Sequence, residues 1–477
     1  MLPQRRPRRD FLAAAAIAPA AALAARDALA GASDPRRDAP RGDGSTGRTE
    51  PMKLLTERER QTPVVAEVDV LVAGGGPAGI GAALSAARAG ARTMLVERYG
   101  SLGGMWTTGL LNPLFDHANK GGIVRELVRA LQARNAWRDD PLHPGFLTTF
   151  DPEAMKFLLD ELAGQAGVEL LLHTWVADTL LDGPNIQGVL VENKSGRAAI
   201  LAKVVVDCTG DGDVAARAGA AFEKGRPEDG LMQPLTLMFR LSNCHFLQKN
   251  SGHLYGLMQQ AAKEQGTQVP PFCRPWIINL PGSGDAVVQL VHVYEVDATD
   301  ARQLSAACVA ARREARQVAE LFRHIPELRD ARLVATAEQI GVRETRRVLG
   351  EYVVTLDDMV AGRRHPDGIC LASFNVDIHP LRPADRDHAR RPAIKPYHIP
   401  YRSLVPRRLE RLLVAGRCIS GTHEAHASYR VTGDCVAMGE AAGLAAAWCA
   451  TAGLTPRAID GAKLRQALKT RGSIVDR

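Results

Sequence analysis

The chain has 477 residues, of which 45% are hydrophobic and 24% are charged, which is sufficient for a large hydrophobic core in two interleaved domains. Its formal net charge is +7, but the first 30 residues carry five arginines and two aspartates, so +4 remains for the rest. A surplus this small on so long a chain argues against nucleic-acid binding and against a membrane-binding surface.

The first 30 residues have the pattern of a targeting segment. The pair Arg8-Arg9 precedes Asp10-Phe11-Leu12, an alanine-rich run follows, and Ala28-Leu29-Ala30 offers a small-x-small cleavage site. This segment resembles a twin-arginine export signal. The alternatives are a disordered basic tail and a lone membrane anchor, although the apolar run is too short to span a hydrocarbon core of ~30 Å. We expect a bacterial periplasmic or other extracytoplasmic protein whose mature chain has no membrane span.

Residues 68 to 97 predict a dinucleotide-binding βαβ unit. An apolar strand runs into Gly74-x-Gly76-x-x-Gly79, a helix at 78–89 follows, and a second strand at 93–96 ends at Glu97. Gly74 permits the tight turn, Gly76 lets the backbone approach a diphosphate, and Gly79 lets helix and strand pack closely. We expect the diphosphate at the positive end of the helix, with the Glu97 carboxylate accepting the ribose hydroxyls and repelling a 2′-phosphate.

Three further segments favour FAD over NAD. They are Arg98–Gly104 (RYGSLGG), Lys203–Asp213 (KVVVDCTGDGD) and Leu412–Arg417 (LLVAGR), and they resemble flavoproteins of the glutathione-reductase type. The alternative is a set of ordinary βα junctions in a large parallel sheet. A small-residue helix at 436–447 is suited to close contact with a flavin or a sheet. The cofactor-binding residues implied by the motif and the resemblance are Gly74, Gly76, Pro77, Ala78, Gly79, Glu97, Arg98, Gly103, Gly104, Val176, Thr209, Gly210, Asp211, Gly416, Arg417 and Gly439.

The other elements complete an α/β pattern. Helices are predicted at 121–137, 151–165 with Asp151 as its N-cap, and 300–323; strands are predicted at 169–180 and 286–296, and a hairpin at 187–200. The expected fold is a Rossmann-like FAD-binding domain, with a parallel sheet and a β-meander, that carries an inserted α+β substrate domain. The expected division is a signal at 1–30, a disordered linker at 31–62, the FAD-binding domain at 63–220 and 404–455, the substrate domain at 221–403 and a tail or helix at 456–477.

Two signatures in the last third of the chain identify a family resemblance. Ile340–Tyr352 reads IGVRETRRVLGEY, and LLVAGRCIS runs into Ser420–Arg430, which reads SGTHEAHASYR. These segments resemble the FAD-dependent oxidoreductases with GVRE[ST]RR and AGRCISxTHEA signatures. The chain departs from that pattern at Thr432-Gly433-Asp434, where a Met-Pro-Thr-like step is expected. None of the eight cysteines is spaced C-x-x-C, so we expect no metal or iron–sulfur centre and mostly buried free thiols.

Catalytic candidates lie in the same two signatures. His423 is the first choice for proton transfer, with Glu424 to orient it, and Arg343 or Arg430 is suited to bind a carboxylate or polarise a carbonyl. The structural alternatives are that His423 and Glu424 close a loop over the flavin, and that Arg343 pairs with Glu344 or Glu351. Asp377-Ile378-His379 is a further candidate, and covalent flavin attachment through Cys418 or a histidine stays open.

The resemblance implies an exported FAD-dependent oxidoreductase that takes a hydride from a small organic substrate onto flavin N5. The segment Gly282-Ser283-Gly284 lacks a third glycine and a helix, so no second dinucleotide motif indicates NAD(P)H as the partner. Dioxygen, a quinone or another extracytoplasmic carrier would then accept the electrons. The alternatives are a non-redox flavoenzyme, such as a lyase, isomerase or hydratase, and a flavoprotein subunit that relays electrons within a complex.

Overall fold

The computed structural model describes residues 55–139, 148–244, 246, 251–272, 274–385 and 392–476. The expected export signal and most of the expected linker lie outside these described residues. Residues 55 to 60 are exposed and have no regular secondary structure, and the described residues from 61 onward form one compact unit.

The described residues contain strands and helices in alternation. The strands are β1 (Val64–Ala73), β2 (Thr93–Val96), β3 (Trp137–Asp139), β4 (Thr148–Phe150), β5 (Glu169–Leu171), β6 (Trp175–Asp182), β7 (Asn185–Asn193), β8 (Gly196–Asp207), β9 (Phe222–Lys224), β10 (Leu235–Ser242), β11 (Trp276–Asn279), β12 (Ala286–Val293), β13 (Arg332–Thr336), β14 (Arg346–Val348), β15 (Gly368–Ala372), β16 (Tyr397–Pro400) and β17 (Leu412–Val414). The helices are α1 (Pro77–Arg88), α2 (Gly122–Ala133), α3 (Pro152–Ala166), α4 (Asp213–Arg217), α5 (Ser251–Glu264), α6 (Ala301–Phe322), α7 (Leu356–Ala361), α8 (His423–Tyr429), α9 (Thr432–Ala452) and α10 (Gly461–Thr470).

The main sheet has the strand order β5-β2-β1-β8-β7-β6, and β17 also pairs with β8. Strands β5, β2, β1, β8 and β17 are parallel, whereas β6, β7 and β8 form an antiparallel meander. The register pairs Ala73 with Val96 and with Asp207, and Asp207 with Val414, so the carboxyl ends of four strands meet at one edge. The predicted α/β fold is confirmed, and sheets of this kind bind ligands beyond the carboxyl ends of their strands.

Several predicted boundaries were wrong for local reasons. The strand predicted at 169–180 is two strands, because the chain leaves β5 through His173, whose φ is +49°, before the meander begins with β6. The hairpin and the following apolar strand are continuous, since β8 both closes the hairpin and extends to Asp207. The helix predicted at 121–137 ends at Ala133, and Asn135 then adopts a φ of +55° before β3. The predicted cap at Asp151 is confirmed.

The chain also forms a second, four-stranded sheet with the order β11-β12-β10-β13. All of its pairings are antiparallel, and helix α6 packs on it through alanines and through Val318 and Phe322. The buried apolar residues from Leu235 to Ile340 form a hydrophobic cluster separate from the main core. The domain boundaries given above stay a prediction.

Helix α9 packs closely against α1 through glycines on both helices. A Cβ at Gly439 would lie 1.9 Å from Ala78 O, and a Cβ at Gly443 would lie 2.1 Å from Ala82 O. The small residues of this helix therefore serve mainly helix–helix contact, not the flavin contact that the sequence suggested as one option. Within the described residues α9 is also the one helix with the length and composition of a membrane span, but most of that segment is buried inside the protein.

Candidate functional site

A cavity of about 980 Å³, its open mouth included, lies at the carboxyl ends of β1, β2 and β8. Most of the predicted cofactor-binding residues line it, namely Gly74, Gly76, Pro77, Ala78, Glu97, Arg98, Gly104, Val176, Thr209, Gly210, Gly416 and Arg417. Residues that the sequence analysis did not name as cofactor-binding complete the wall; they include Tyr99, Met105, Thr174, Trp175, Asp213, Gln339, Val342 and Thr432. Segments that are far apart in the chain thus surround one site.

Four predicted cofactor-binding residues shape the cavity without lining it. A Cβ at Gly79 would lie 1.8 Å from Gly74 O, so Gly79 sets how closely α1 approaches the turn before it. The Gly103 N–H donates to Gly75 O at 2.8 Å, which brings the two glycine-rich loops together. The Asp211 carboxylate is paired within the protein, and Gly439 packs on α1.

The turn between β1 and α1 is built for close approach by a ligand. Gly74 has a φ of +98°, and a Cβ there would lie 2.5 Å from Cys208 O, so only glycine fits. Gly76 is the N-cap residue of α1 and offers no side chain to the first helical turn, and Pro77 follows at the first helical position. Uncapped N–H groups at the positive end of a helix bind anionic groups such as a diphosphate.

The Glu97 carboxylate is held rigidly at the end of β2. Gly75 N–H donates to Oε2 at 2.6 Å, and Tyr99 N–H donates to Oε1 at 2.9 Å. Each carboxylate oxygen retains a second lone pair, so both can still accept a hydroxyl. The Arg98 guanidinium lies beside it, 5.0 Å from the ring centre of Tyr99 and 5.3 Å from that of Trp175. This end of the cavity combines a fixed acceptor with aromatic surface.

The GVRETRR signature, residues 341–347, connects the cavity wall to the turn that follows β8. Arg417 Nη2 lies 2.7 Å from Asp211 Oδ1, and the Thr345 hydroxyl donates to the same oxygen at 2.7 Å. Arg346 donates to Asp211 O and lies 3.0 Å from Asp213 Oδ1. Thr345, immediately before β14, therefore orients the guanidinium of Arg417 at the cavity wall directly and through Asp211.

His423 lies in a buried ion-pair network and not in the cavity wall. Its Nδ1 is 2.9 Å from Glu344 Oε1, and Arg347 pairs with the same carboxylate. Gln233 N–H donates to the other oxygen of Glu344 at 3.2 Å. Of the two structural alternatives considered for this region, the Glu344 ion pair is present, but its partners are Arg347 and His423 instead of Arg343. The predicted partnership of His423 with Glu424 is not what the structure shows.

Arg343 and Arg430, the two predicted anion-binding residues, meet in a different cluster. Arg430 lines the cavity, and its Nη2 lies 3.0 Å from Asp377 Oδ2. His379 Nε2 lies 3.4 Å from the same oxygen, and His379 Nδ1 lies 3.1 Å from His292 Nε2. Arg343 Nη2 lies 3.4 Å from His292 Nε2, while its Nη1 donates to Pro234 O and Thr236 Oγ1. We call the five side chains of Arg343, Arg430, Asp377, His379 and His292 the arginine–histidine cluster.

Burial and mutual charge perturb the arginine–histidine cluster. Burial, and then the charge of Arg430, lower the pKa of Arg343 to about 9. Burial and the Arg343 guanidinium lower the pKa of His379 to about 4 and hold the pKa of His292 well below its usual value. Burial alone would raise the pKa of Asp377, but His379 and the arginines outweigh it and hold that pKa low. Perturbations of this kind beside a cavity are typical of functional sites.

Sequence reasoning missed His292 entirely. It is 3% exposed on β12 in the apolar run AVVQLVHV, and Phe272 stacks on it with ring centres 3.8 Å apart. A polar side chain at an inward position of an apolar strand is the signal that was available, because buried polar residues are uncommon without a specific partner.

The cysteines offer little reactivity. The seven in the described residues are free, and all but Cys308 are buried. Burial raises the pKa of Cys418 well above its usual value and that of Cys435, which lines the cavity, to about 12. A thiol in this state is a poor nucleophile, so the structure offers no support for covalent flavin attachment through Cys418. Among the described residues no group of three metal-binding side chains comes together.

Known proteins resemble this chain in part or over most of its length. It is 32% identical to the thiamine thiazole synthase of Aeropyrum pernix over 35% of this chain and 63% of that protein, and 35% identical to the geranylgeranyl diphosphate reductase of Rhodobacter capsulatus over 23% and 28%. The chain thus spans less than two thirds of these relatives. A geranylgeranyl bacteriochlorophyll reductase-like structure from Thermoplasma acidophilum is similar over 85% of this chain and 83% of its own, with a TM-score of 0.41 and 13% identity.

The flavin-dependent brominase Bmp2 is similar over 85% of this chain and 83% of its own, with a TM-score of 0.46 and 14% identity. A family model described as FAD dependent oxidoreductase matches residues 69–468, which is most of the chain and includes both the cavity and the arginine–histidine cluster. The residues of the cavity fit that cofactor, because an uncapped helix end and a fixed carboxylate lie where a diphosphate and a ribose need them. The chain belongs to the FAD-dependent oxidoreductase family, and it is an enzyme with FAD as its cofactor.

Proposed function

We propose that this protein is an exported oxidoreductase of the glutathione-reductase-type flavoproteins that takes a hydride from a small organic substrate and passes the electrons to dioxygen, a quinone or another extracytoplasmic acceptor. The observation that carries the redox part is that Glu97 and Arg430 line one and the same cavity. One ligand bound in it would meet the nucleotide-binding residues and Arg430, the member of the arginine–histidine cluster that lines the cavity.

The chain supplies distinct contacts along the cavity. The first turn of α1 would bind the diphosphate, Glu97 the ribose hydroxyls, and Arg98 with Trp175 the adenine side. Elsewhere in the cavity wall, α9 begins at Thr432 without a side-chain cap, and the Thr432 hydroxyl is buried without a partner in the described residues. The N-terminus of α9 would stabilise negative charge on a group bound beside it.

When bound, FAD supplies the hydride acceptor, at N5 of its ring. The protein's own task is then to position the substrate, to hold a developing negative charge and to remove the proton that leaves with the hydride. Arg343 and Arg430 are suited to the charge because of their planar, multiply donating groups. The proton-transfer role predicted for His423 stays a prediction, since its ring lies on Glu344 outside the cavity wall.

Purified protein would test the redox part of the proposal. We expect yellow protein that releases FAD on denaturation, and bleaching of the flavin band when a substrate is mixed in without oxygen. Turnover without bleaching would instead indicate a lyase, isomerase or hydratase. Activity only in the presence of a second subunit would indicate an electron relay. Colourless protein that does not bind added FAD would overturn the proposal.

Export is supported by the Arg8-Arg9 pattern and by the need of a flavoprotein to fold around its cofactor before transport, which the twin-arginine route permits. No membrane span and no nucleic acid are part of the proposal. Replacing Arg8 and Arg9 together by lysine should retain the protein in the cytoplasmic fraction. A protein that still reaches the periplasm would contradict the export proposal and leave the redox proposal unaffected.

A further inference from the structure

The arginine–histidine cluster carries an unbalanced positive charge. With both histidines neutral, Arg343 and Arg430 contribute two positive charges and Asp377 contributes one negative charge. The Arg430 side chain is 14% exposed and the Asp377 side chain is 34% exposed, so solvent compensates this charge only in part. A buried charge without a partner is strongly unfavourable, and a bound anion would relieve it.

An unsatisfied donor in the cavity wall indicates where such an anion would bind. Arg430 lines the cavity, and its Nε is buried without a hydrogen-bond partner in the described part of the chain. Its Nη2 already donates to Asp377, so the Nε–H group is the donor that remains available. Buried donors are almost always satisfied in native proteins, which makes an acceptor on a ligand the expected partner.

The two histidines lack one hydrogen for the contacts that they make. Leu290 O can only accept, so His292 Nδ1, 2.9 Å away, carries the hydrogen of that ring. His292 Nε2 is then an acceptor for His379 Nδ1, with Arg343 Nη2 a further donor 3.4 Å away, and this leaves His379 Nε2 bare against the Asp377 carboxylate. Three contacts therefore share two hydrogens while both rings are neutral. A third proton completes the chain but adds a third positive charge against the single negative charge of Asp377, so a bound anion would favour its uptake.

We propose, on the basis of the proposed function, that the substrate is an organic acid whose carboxylate is bound by Arg343 and Arg430, and that the His292–His379 pair takes the proton released on oxidation. The substrate carries a hydroxyl or amine on the oxidised carbon. The C–H bond breaks and its electron pair leaves as a hydride to FAD, the O–H or N–H proton goes to the histidine pair, and a carbonyl or imine forms. In this proposal His379, whose Nε2 is the bare nitrogen, receives the proton, and His292 and Asp377 are positioning residues.

Substrate charge and proton uptake are coupled in this arrangement. Burial and the Arg343 guanidinium lower the pKa of both rings, and Arg430 also lowers that of His379, whereas Asp377 raises both; the ring centre of Tyr294 lies 6.2 Å from that of His292. A bound carboxylate neutralises the arginines and so raises the pKa of His379 from about 4 towards the working range of a base. Linkage is reciprocal, so carboxylates bind more tightly as the pH falls.

Carboxylate binding tests the anion site without a known substrate. The FAD-loaded full chain is titrated with acetate, glycolate and malonate by calorimetry at several pH values. We expect Arg430→Gln and Arg343→Gln each to weaken binding by about 10- to 100-fold, because each removes a charged hydrogen-bond donor. Arg430→Lys, which retains the charge but not the fork, should lose less. The exposed Arg129→Gln is the matched control and should bind as the wild type does.

His379→Gln tests the proton part. Wild-type affinity for the carboxylates should increase as the pH falls, and this dependence should flatten in His379→Gln, with FAD content unchanged. With a substrate that bleaches the wild-type flavin, the reduction rate should fall by about 10²- to 10⁴-fold and recover partly with added imidazole. The exposed His324→Gln is the control.

Failure of this inference is distinguishable from failure of the proposed function. If no carboxylate binds, if binding is equal in Arg430→Gln, or if wild-type affinity is independent of pH, the inference is overturned even when the flavin is present and reducible. If the protein binds no FAD, the proposed function fails, and the same titrations on the colourless protein still test the anion site.

Discussion

Replacing Gly79 by alanine should disable the diphosphate site while leaving the fold largely intact. The new Cβ would lie 1.8 Å from Gly74 O, whereas ordinary contact begins at 3.4 Å, so α1 and the turn must separate by about 1.6 Å. Hydrogen bonds at 2.7–3.2 Å do not survive such a shift. Loss of two charge-assisted bonds, each contributing about 1.5–3 kcal/mol, predicts at least a 100-fold loss of FAD affinity.

Flavin fluorescence during titration of the apoprotein measures this affinity, and urea unfolding measures the accompanying loss of stability, expected at about 1–3 kcal/mol. Gly164→Ala is the matched control, because it lies in helix α3 with no atom within 4 Å of the added Cβ. It should bind FAD normally and be slightly more stable, since alanine is the better helix former. If Gly79→Ala binds FAD like the wild type, the role assigned to the α1 N-terminus is wrong.

Three further predictions concern buried charges. Lys120→Met should lower the free energy of unfolding by about 3–5 kcal/mol, because it leaves the buried Asp434 carboxylate, 2.8 Å from Nζ, without its partner. Lys156→Met, at an exposed ion pair, should lower it by less than about 1 kcal/mol. Equal losses in urea unfolding would contradict this. Burial raises the pKa of Glu440 to about 7, so the contribution of this side chain to stability is complete below pH 4.5 and is lost as the pH rises towards 7. The free energy of unfolding of Glu440→Gln should therefore increase by about 3 kcal/mol relative to the wild type between those two pH values. Parallel stability–pH curves for the two proteins would refute this prediction. His423→Ala should lower stability and retain flavin reduction; stable, yellow protein that substrate no longer bleaches would instead confirm His423 as the proton-transfer residue and count against the histidine pair.

Local sequence was sufficient for the nucleotide-binding half of the site. The strand, glycine turn and helix from Val64 to Arg88 depend on backbone conformations that neighbouring residues impose, and Gly74 and Pro77 mark the turn and the helix start directly. Asp151 was predictable as an N-cap for the same reason. Its carboxylate accepts hydrogen bonds from the N–H groups of Glu153 and Ala154, which lie in the first turn of the helix that it caps. Boundaries failed where single residues such as His173 adopt a positive φ that no pattern marks.

The departure at Thr432-Gly433-Asp434 shows a feature that local pattern could not interpret. A Cβ at Gly433 would lie 2.4 Å from Phe115 O, and Asp434 pairs with Lys120, so this step fits the segment around residues 115–120. Both contacts join residues more than three hundred positions apart. Helix α9 nevertheless begins at Thr432, and its uncapped end lies at the cavity.

The sequence by itself determined the fold class, the family and the residues around the diphosphate, because glycine turns, helix ends and strand periodicity act over a few neighbouring positions. Only the tertiary structure decided the chemistry beside the flavin cavity. It placed His423 on Glu344 and brought His292 to His379 across 87 residues of chain, since an ion pair or a histidine pair is defined by distance in space, which sequence separation does not record.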